Sequence, residues 1–463
     1  MCAPRLLWSR CRSAAVTEKT GQHRVIDLTQ GPAVRSMLLF ALPMIAGNLL
    51  QQGYNIADTL VVGRLLGQDA LAAVGSSFSL MTFLTSVILG LCMGSGALFS
   101  IHYGEGDQAA LQDSLMASAV LTVLCTIVLT GSAYAVLGFL AVWQNVPGAV
   151  WPDMRAYLLF IFAGIPAVSL YNFCACALRA LGDSLTPLIF LAVAAVLNVG
   201  LDLLFVLGLG LGVWSTALAT IVSQYAAGCG IWLWIRRRSP GLRLNHSRRP
   251  APSCYREVGA YSFLTCAQQS VMNLGILMVQ GLVNSVGAAV MAAFAAGVKI
   301  DAFAYSPCQD FGNAFSTFIA QNFGARRPER IRSGLRGAVL VSLGFAAAVS
   351  VIVWAFAPSL MGLFVPPQDQ DTIRLGAEYL RIEGAFYPGI ACLFLFYGLY
   401  RAVARPGISL VLTIISLGSR VALAYVLSPG WGPAGIWWSV PIGWALADLA
   451  GLLMIRTALP RKA

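Results

Sequence analysis

Long apolar segments, repeated along the sequence, are the feature that most constrains this chain. A helix needs about 20 apolar residues to cross the hydrocarbon core of a bilayer, and twelve segments reach that length. The sequence therefore predicts an all-α integral membrane protein with about twelve transmembrane helices. The predicted helices cover residues 37–62, 71–100, 115–142, 157–178, 185–206, 213–235, 257–283, 288–322, 333–357, 379–400, 407–427 and 432–457.

The composition excludes an ordinary soluble domain. Of the 463 residues, 58% are hydrophobic and only 11% are charged, whereas soluble domains carry about 25% charged residues. The formal net charge is +11, but the basic residues are spread over short segments instead of gathered on one soluble surface. We therefore expect membrane lipids as partners and no nucleic acid.

The basic residues are distributed unevenly between the two sides that twelve helices define. One side holds 24 of the 30 Lys and Arg residues, including six in 1–36, seven in 236–256 and five in 326–336. Arg179, Arg401 and Arg405 count toward the same side. Because cytoplasmic loops carry an excess of Lys and Arg, we expect a multi-pass protein of the plasma (inner) membrane with both termini cytoplasmic.

The sequence divides into two related halves on either side of the basic segment 236–256. Tyr103-Gly104 matches Phe323-Gly324 at a spacing of 220 residues, and Arg179-Ala180 matches Arg401-Ala402 at 222. Transporters commonly place the substrate site between such repeats and work by alternating access. The predicted units are a cytoplasmic segment 1–36, an N-lobe 37–235, a linker 236–256, a C-lobe 257–457 and a cytoplasmic tail 458–463.

Polar side chains within the first helix form a stripe that does not suit a lipid-facing surface. Intramembrane polar groups are expensive and usually face the bundle interior or a water-filled cavity. An ionised carboxylate at this depth is unfavourable unless paired, so Asp58 could bind a proton reversibly. An alternative is that Asp58 only caps the outer end of the helix. The stripe consists of Asn48, Gln51, Gln52, Tyr54, Asn55 and Asp58.

Two further helices of the first half carry polar pairs. Asn198 and Asp202 lie one turn apart on one face of the fifth helix, and Thr220 and Gln224 have the same spacing in the sixth. Carboxylate, amide and hydroxyl groups facing one cavity could hold a proton or supply oxygen ligands to Na⁺. The alternative is a hydrogen-bond network that only packs the lobe.

The second half offers different candidates for a substrate cavity. Helix seven contributes Asn273, and helix eight contributes Lys299 and Asp301. The latter two are separated by two residues and do not share a helix face, so both a transport role and charge pairing with other helices stay open.

Motifs for catalysis are not found in the sequence. It shows no nucleotide-hydrolysis motif and no metal-ligand pattern, so we expect no catalytic residue, no cofactor and no enzyme activity. No obligate protein partner is implied. Transport would then have to be driven by an ion gradient.

Several sequence blocks resemble the multidrug and toxic compound extrusion (MATE) family of bacterial type. They are the opening DLTQGPAVRSMLLFALPMIAGNLLQQGYNIADTLVVGRLLG (27–67), RALGDSLTP (179–187), LNVGLDLLFVLGLGLGVWSTALAT (197–220) and KIDAFAYSPCQDFGNAFSTFIAQNFGA (299–325). The resemblance covers about residues 25–457. It implies two pseudo-symmetric six-helix lobes around a V-shaped cavity.

The same resemblance implies an ion-coupling site in the N-lobe. The family's positions match Asp58, Asn198, Asp202 and Thr220, and Tyr54 matches an aromatic position beside them. Helix seven lacks the acid that another branch of the family uses for coupling. The expectation is therefore N-lobe coupling to H⁺ or Na⁺, with both ions left open.

We expect an antiporter that exports organic cations or amphiphiles, in other words multidrug efflux. Candidate cavity residues are Tyr54, Asn55, Gln51, Gln52, Gln224, Asn273, Asp301 and Lys299. The alternative is a flippase for a lipid-linked oligosaccharide, which has the same superfamily fold. A flippase should show a strongly cationic cavity to hold pyrophosphate, and Lys299 and Arg420 are the basic candidates within the predicted helices.

Overall fold

The structure is a computed structural model that describes residues 25–143, 148, 150–244 and 249–458. In these ranges the chain is almost entirely helical. The fourteen described helices are α1 (Ala33–Val61), α2 (Gln68–Glu105), α3 (Gln108–Trp143), α4 (Trp151–Ala163), α5 (Ile165–Ala180), α6 (Leu185–Leu203), α7 (Trp214–Arg238), α8 (Pro252–Val286), α9 (Ala288–Gly324), α10 (Pro328–Met361), α11 (Gln370–Ala385), α12 (Tyr387–Ala402), α13 (Pro406–Trp431) and α14 (Pro433–Ala458).

The described helices account for twelve spans when two bent pairs are each counted once. Ten are long and apolar enough to cross a membrane alone, while α4 with α5 is bent by 41° and α11 with α12 by 52°. Proline stands in the first turn of α5 and of α12. Because proline has no N–H to donate to the preceding turn, the helix is interrupted at each of these points. The predicted all-α membrane fold is confirmed.

The helices pack as two lobes, α1–α7 and α8–α14. The C-lobe is organised around stacked aromatic rings, with the Phe294 and Trp437 centroids 5.6 Å apart and the Tyr379 ring edge-on to Trp437 at 5.0 Å. Many outward faces carry exposed apolar side chains such as Val196 and Leu340. This is the pattern of helices that bury polar groups inside the bundle and present apolar groups to lipid.

One end of the bundle, which we call the basic end, carries most of the arginines. It comprises the start of α1, the turns α2–α3, α5–α6, α9–α10 and α12–α13, and the connection from α7 to α8. Aspartates begin the helices here: Asp107 accepts the backbone N–H of Ala110 at 2.9 Å, and Asp183 accepts that of Thr186 at 2.9 Å. Such N-terminal caps satisfy donors that the helix leaves free.

The two lobes touch closely at the basic end. A Cβ atom on Gly104 would lie 2.1 Å from the Gln321 carbonyl oxygen, and one on Gly324 would lie 2.1 Å from that of Ile101. Toward the bundle centre, the hydroxyls of Ser95 and Ser262 are hydrogen-bonded at 2.9 Å. Every inter-lobe hydrogen bond of the described residues lies between the Asn48–Asp310 pair and this end. The lobes are therefore closed at the basic end.

Candidate functional site

Four polar side chains of the N-lobe meet where α1, α6 and α7 pack together. Asn198 Nδ2 donates to Thr220 Oγ1 at 3.3 Å. Asp202, one turn further along α6, faces Asp58 of α1 closely enough for the two carboxyl groups to interact. We call Asp58, Asn198, Asp202 and Thr220 the N-lobe polar cluster. The structure thus brings together the four residues that the sequence singled out for ion coupling.

The oxygen atoms of this cluster lack partners. Asp58 Oδ1, Asn198 Oδ1 and both carboxylate oxygens of Asp202 are buried without a hydrogen-bond donor. Asp202 is fully buried, and neither aspartate forms an ion pair within the described part of the chain. Buried polar groups are normally satisfied, and each exception needs an explanation. The cluster therefore has the chemistry to accept a proton or a small cation.

A small cavity adjoins the cluster. It has a volume of about 10 Å³ and is lined by Tyr54 and Gln224 together with Asn198 and Thr220. That is close to the minimum space for one water molecule. Tyr157 of α4 lies within electrostatic range of both aspartates. The sequence analysis missed it because its helix carries no stripe of polar residues.

Helical irregularities follow both aspartates. A π-helical turn at Val62–Leu66 continues α1 beyond Asp58, and another at Leu204–Gly208 continues α6 beyond Asp202. Single π turns are rare and frequently occur at functional sites. The sequence analysis did not predict them, since one extra residue per turn leaves the apolar pattern almost unchanged.

A larger cavity of about 280 Å³ lies between the lobes, and we call it the central cavity. Helices α1, α2, α5, α6, α8, α9 and α12 contribute to its wall. Met44, Leu89, Met93 and Phe394 supply apolar surface. The polar lining residues include Asn48, Gln51, Asn172, Arg179, Gln268, Gln269, Gln309, Asp310, Asn313, Thr317 and Arg401.

The predicted cavity residues are divided among several places. Gln51 lines the central cavity, and Tyr54 and Gln224 line the small one. The remaining candidates are not among the lining residues of either cavity: Gln52, Asn55, Asn273, Lys299 and Asp301.

The two charged candidates of α9 have different surroundings. Asp301 is buried in the C-lobe, where it accepts hydrogen bonds from the Tyr379 hydroxyl at 2.5 Å and from the Tyr387 hydroxyl. Lys299 is exposed and forms no ion pair in the described ranges. Asp310, on the same helix, instead reaches the central cavity and accepts from Asn48 Nδ2 at 2.9 Å.

Two arginines of the central cavity were assigned differently from the sequence. Arg179 and Arg401 were counted in segments outside the membrane, but they lie in the last turns of α5 and α12 and line the cavity. Lys299 and Arg420, the basic candidates named for a cavity, do not line it. The repeat spacing of 222 residues was the signal that could have found this pair.

Metal ligands are not assembled in the described ranges, where no three His, Cys, Asp or Glu side chains come together to hold an ion.

Known proteins match this chain along most of its length. The family model described as MatE matches residues 43–204 and 262–426. The probable multidrug resistance protein YpnP of Bacillus subtilis is 29% identical over 94% of this chain and 97% of its own length. The FAD transporter of Shewanella oneidensis is 25% identical over 84% of this chain and 87% of its own length.

Solved structures share the fold. One described as the outward-facing conformation of a multidrug resistance MATE family transporter of the MOP superfamily superposes with a TM-score of 0.88. It is 21% identical and covers 95% of this chain and 99% of its own. The two-lobe architecture is therefore that of solved MATE transporters.

Proposed function

This chain belongs to the MatE family, and on that premise we propose that it is a secondary active antiporter. It exports cationic or amphiphilic small molecules across the plasma membrane in exchange for H⁺ or Na⁺. Relatives that cover nearly the whole chain are named as multidrug resistance or export proteins, which supports export over an enzymatic activity.

The observation that carries this proposal is the N-lobe polar cluster. Its buried oxygens without donors belong to two neighbouring carboxyl groups and one amide. Two ionised carboxylates in apolar surroundings repel each other and lose their hydration. Uptake of a proton or a Na⁺ ion relieves both costs, so the cluster would be occupied by one of these ions during part of the transport cycle.

Helix α1 connects the ion site to the central cavity. It carries Tyr54 and Asp58 at the cluster, and Pro43, Asn48 and Gln51 at the cavity wall. An ion that binds more tightly to one position of α1 shifts the protein toward that conformation. The same displacement changes the cavity wall, so ion binding on one side of α1 can expel substrate on the other.

The orientation follows from the arginines. We assign the basic end to the cytoplasm because cytoplasmic segments carry the excess of Lys and Arg. The lobes are closed at that end, so the conformation described here would release its substrate to the outside. Alternating access then requires a second conformation that separates the lobes at the basic end.

The flippase alternative required a strongly cationic cavity. The charged residues that line the central cavity in the described ranges are Arg179, Arg401 and Asp310. One carboxylate opposes two guanidinium groups, so the excess of positive charge is small. We therefore keep the antiporter as the proposed function.

Efflux of a fluorescent organic cation, rhodamine 123, from cells that express the protein tests the proposal. We expect the Asp58→Asn and Asp202→Asn variants to lose gradient-driven efflux, because an amide cannot take up the coupling proton and is a poorer Na⁺ ligand than a carboxylate. Asp371→Asn is the matched control, since that side chain is 84% exposed in the C-lobe.

The coupling ion is identified by collapsing the proton gradient with a protonophore and, separately, by replacing Na⁺ in the medium. The ion whose removal stops efflux is the coupling ion. Normal efflux by both aspartate variants, at wild-type amounts in the membrane, would refute coupling through the N-lobe polar cluster.

A further inference from the structure

Two arginines from different lobes converge on the central cavity. Arg179 comes from α5 and Arg401 from α12, and both line the cavity wall. Both guanidinium groups lie close enough to the Cys176 thiol to interact with it electrostatically. We call them the arginine pair. They occupy matching positions in the two halves of the sequence, so the pair lies across the lobe interface.

The arginine pair has no anionic partner. Arg401 is 5% exposed, and its neighbours are neutral: Nε donates to Ser316 Oγ at 3.3 Å and Nη2 donates to Asn313 Oδ1 at 3.0 Å. Arg179 Nε is buried without any acceptor. Neither side chain forms an ion pair in the part of the chain that the structure describes.

The nearest carboxylate of the cavity does not neutralise the pair. Asp310 is bound by the Asn48 amide at 2.9 Å and interacts with Arg179 only at longer range. A buried cation without a partner is strongly unfavourable, and guanidinium is shaped to bind carboxylate or phosphate through two parallel hydrogen bonds. The cavity wall therefore offers unused donor capacity and positive charge.

We propose that the arginine pair binds an anionic group of the transported molecule, a carboxylate or a phosphate. Asp310 faces the same cavity and accepts the cationic part of the molecule. The preferred substrates are then zwitterionic amphiphiles that carry an anionic group, and simple organic cations bind less well. This inference rests on the proposed function, because it names the substrate class of the same cavity.

A purely structural role for the arginines is the competing explanation. Each lies in the last turn of a helix, where a cation interacts favourably with the helix dipole. That interaction requires no ligand and predicts no preference between a zwitterion and a cation. The two explanations therefore differ in the ligand charge that the cavity selects.

Two dyes that differ in a single group provide the test. Rhodamine 110 carries a free carboxylate and is a zwitterion at neutral pH, whereas rhodamine 123 is its methyl ester and carries only the positive charge. We would measure the binding of both to the purified protein by fluorescence polarisation. Charge-assisted hydrogen bonds from a desolvated guanidinium predict that the acid binds about tenfold more tightly than the ester.

Arg401→Gln should reduce this acid-to-ester ratio to about one, and Arg401→Lys should keep part of it because lysine retains the charge without the planar fork. Arg332→Gln is the matched control, because that side chain is exposed on α10 away from the cavity. If Arg401→Gln does not elute as a monodisperse protein, Arg179→Gln takes its place. The wild-type ratio decides the question even without a variant.

Equal affinities of wild type for the two dyes, tighter binding of the ester, or failure of both to bind would overturn the anion site. Loss of ion-driven efflux with the binding preference intact would count against the antiporter and not against this site. Competition by a polyprenyl diphosphate at lower concentrations than rhodamine 110 would support the anion site and assign it to a lipid headgroup. Weaker competition would assign it to soluble amphiphiles.

Discussion

Buried carboxyl groups in this molecule have two kinds of surroundings. Asp301 accepts hydrogen bonds from the hydroxyls of Tyr379 and Tyr387, so its charge or its proton is held by fixed donors. Asp202 is equally inaccessible, yet both of its oxygens lack a donor. A satisfied buried network rigidifies the fold, whereas an unsatisfied one marks a place where something else binds. We therefore assign structural stabilisation to Asp301 and ion binding to Asp202.

The structural network of the C-lobe predicts the effect of Tyr379→Phe. The Tyr379 hydroxyl donates to Asp301 at 2.5 Å and lies 3.1 Å from Glu383 Oε2, so its removal leaves buried acceptors without a donor. We expect a loss of about 1–3 kcal/mol of stability, measured as a lower Tm of the purified protein. Tyr425→Phe, at a side chain that is 53% exposed, should change the Tm little. An unchanged Tm for Tyr379→Phe would contradict the assignment.

The sequence found the acids of the site more easily than its bases. Asp58, Asn198 and Asp202 stand within apolar segments, where a polar group is expensive and its helix face can be calculated. Arg179 and Arg401 stand at segment ends, where an arginine usually extends to the membrane surface. Their burial results from packing between lobes, and Tyr157 joins the site in the same way. Contacts between distant segments are not contained in helical periodicity.

Among the elements, the segment before α1 joins the two lobes at the basic end. Toward the N-lobe, the Ile26 N–H donates to the Gly182 carbonyl at 3.1 Å. Toward the C-lobe, the fully buried Leu28 offers its carbonyl to Asn322 Nδ2 at 3.1 Å. Arg330 of α10 donates to the carbonyls of Leu28, Gln30 and Gly31. The segment thus stabilises the closed arrangement of this end.

Arg330→Ala should weaken this connection and favour separation of the lobes at the basic end. Four hydrogen bonds from a charged donor disappear, together with the contact of the guanidinium with the Phe318 ring at 5.4 Å. Peptide mass spectrometry after maleimide treatment measures opening at Cys266, whose backbone lies against Gly90 of the other lobe. We expect labelling to become several-fold faster. Arg332→Ala, an exposed neighbour on the same helix, should label like wild type.

Helix existence was predictable, but helix interruptions were not. All twelve predicted segments overlap described helices, because apolar length alone identifies a span. The bends at Gly164 and Phe386 depend on Pro166 and Pro388, and a proline in an apolar segment either kinks or ends a helix. Several helices also extend past their predicted ends, for example α2 to Glu105, since helical hydrogen bonding does not stop where the apolar run stops.

In the whole molecule, the sequence repeat appears as a reciprocal contact between the lobes. Gly104 packs on Gln321 and Gly324 packs on Ile101, and both pairings are related by the same spacing of 220 residues. The arginine pair has nearly the same relation. Residues near the pseudo-symmetry axis therefore meet their own counterparts, and a change on one lobe should have the same effect as the equivalent change on the other.

This reciprocity predicts matching effects of Gly104→Ala and Gly324→Ala. Each added methyl group would lie 2.1 Å from a carbonyl oxygen of the other lobe, so the closed basic end must open to accommodate it. The central cavity then becomes accessible from that end. We expect an impermeant maleimide to label Cys176, which lines the cavity, faster in inverted vesicles than in right-side-out vesicles, and the reverse for wild type.

Gly131→Ala is the control for the glycine variants, because a methyl group there meets no atom within 4 Å. It should label like wild type and be at least as stable, since alanine favours helix over glycine by about 1 kcal/mol. If only one of the two inter-lobe variants changed the labelled side, the lobes would not share the contact equally. If neither did, the glycine contact would not keep the basic end closed, and closure would rest on the segment before α1 and the serine pair.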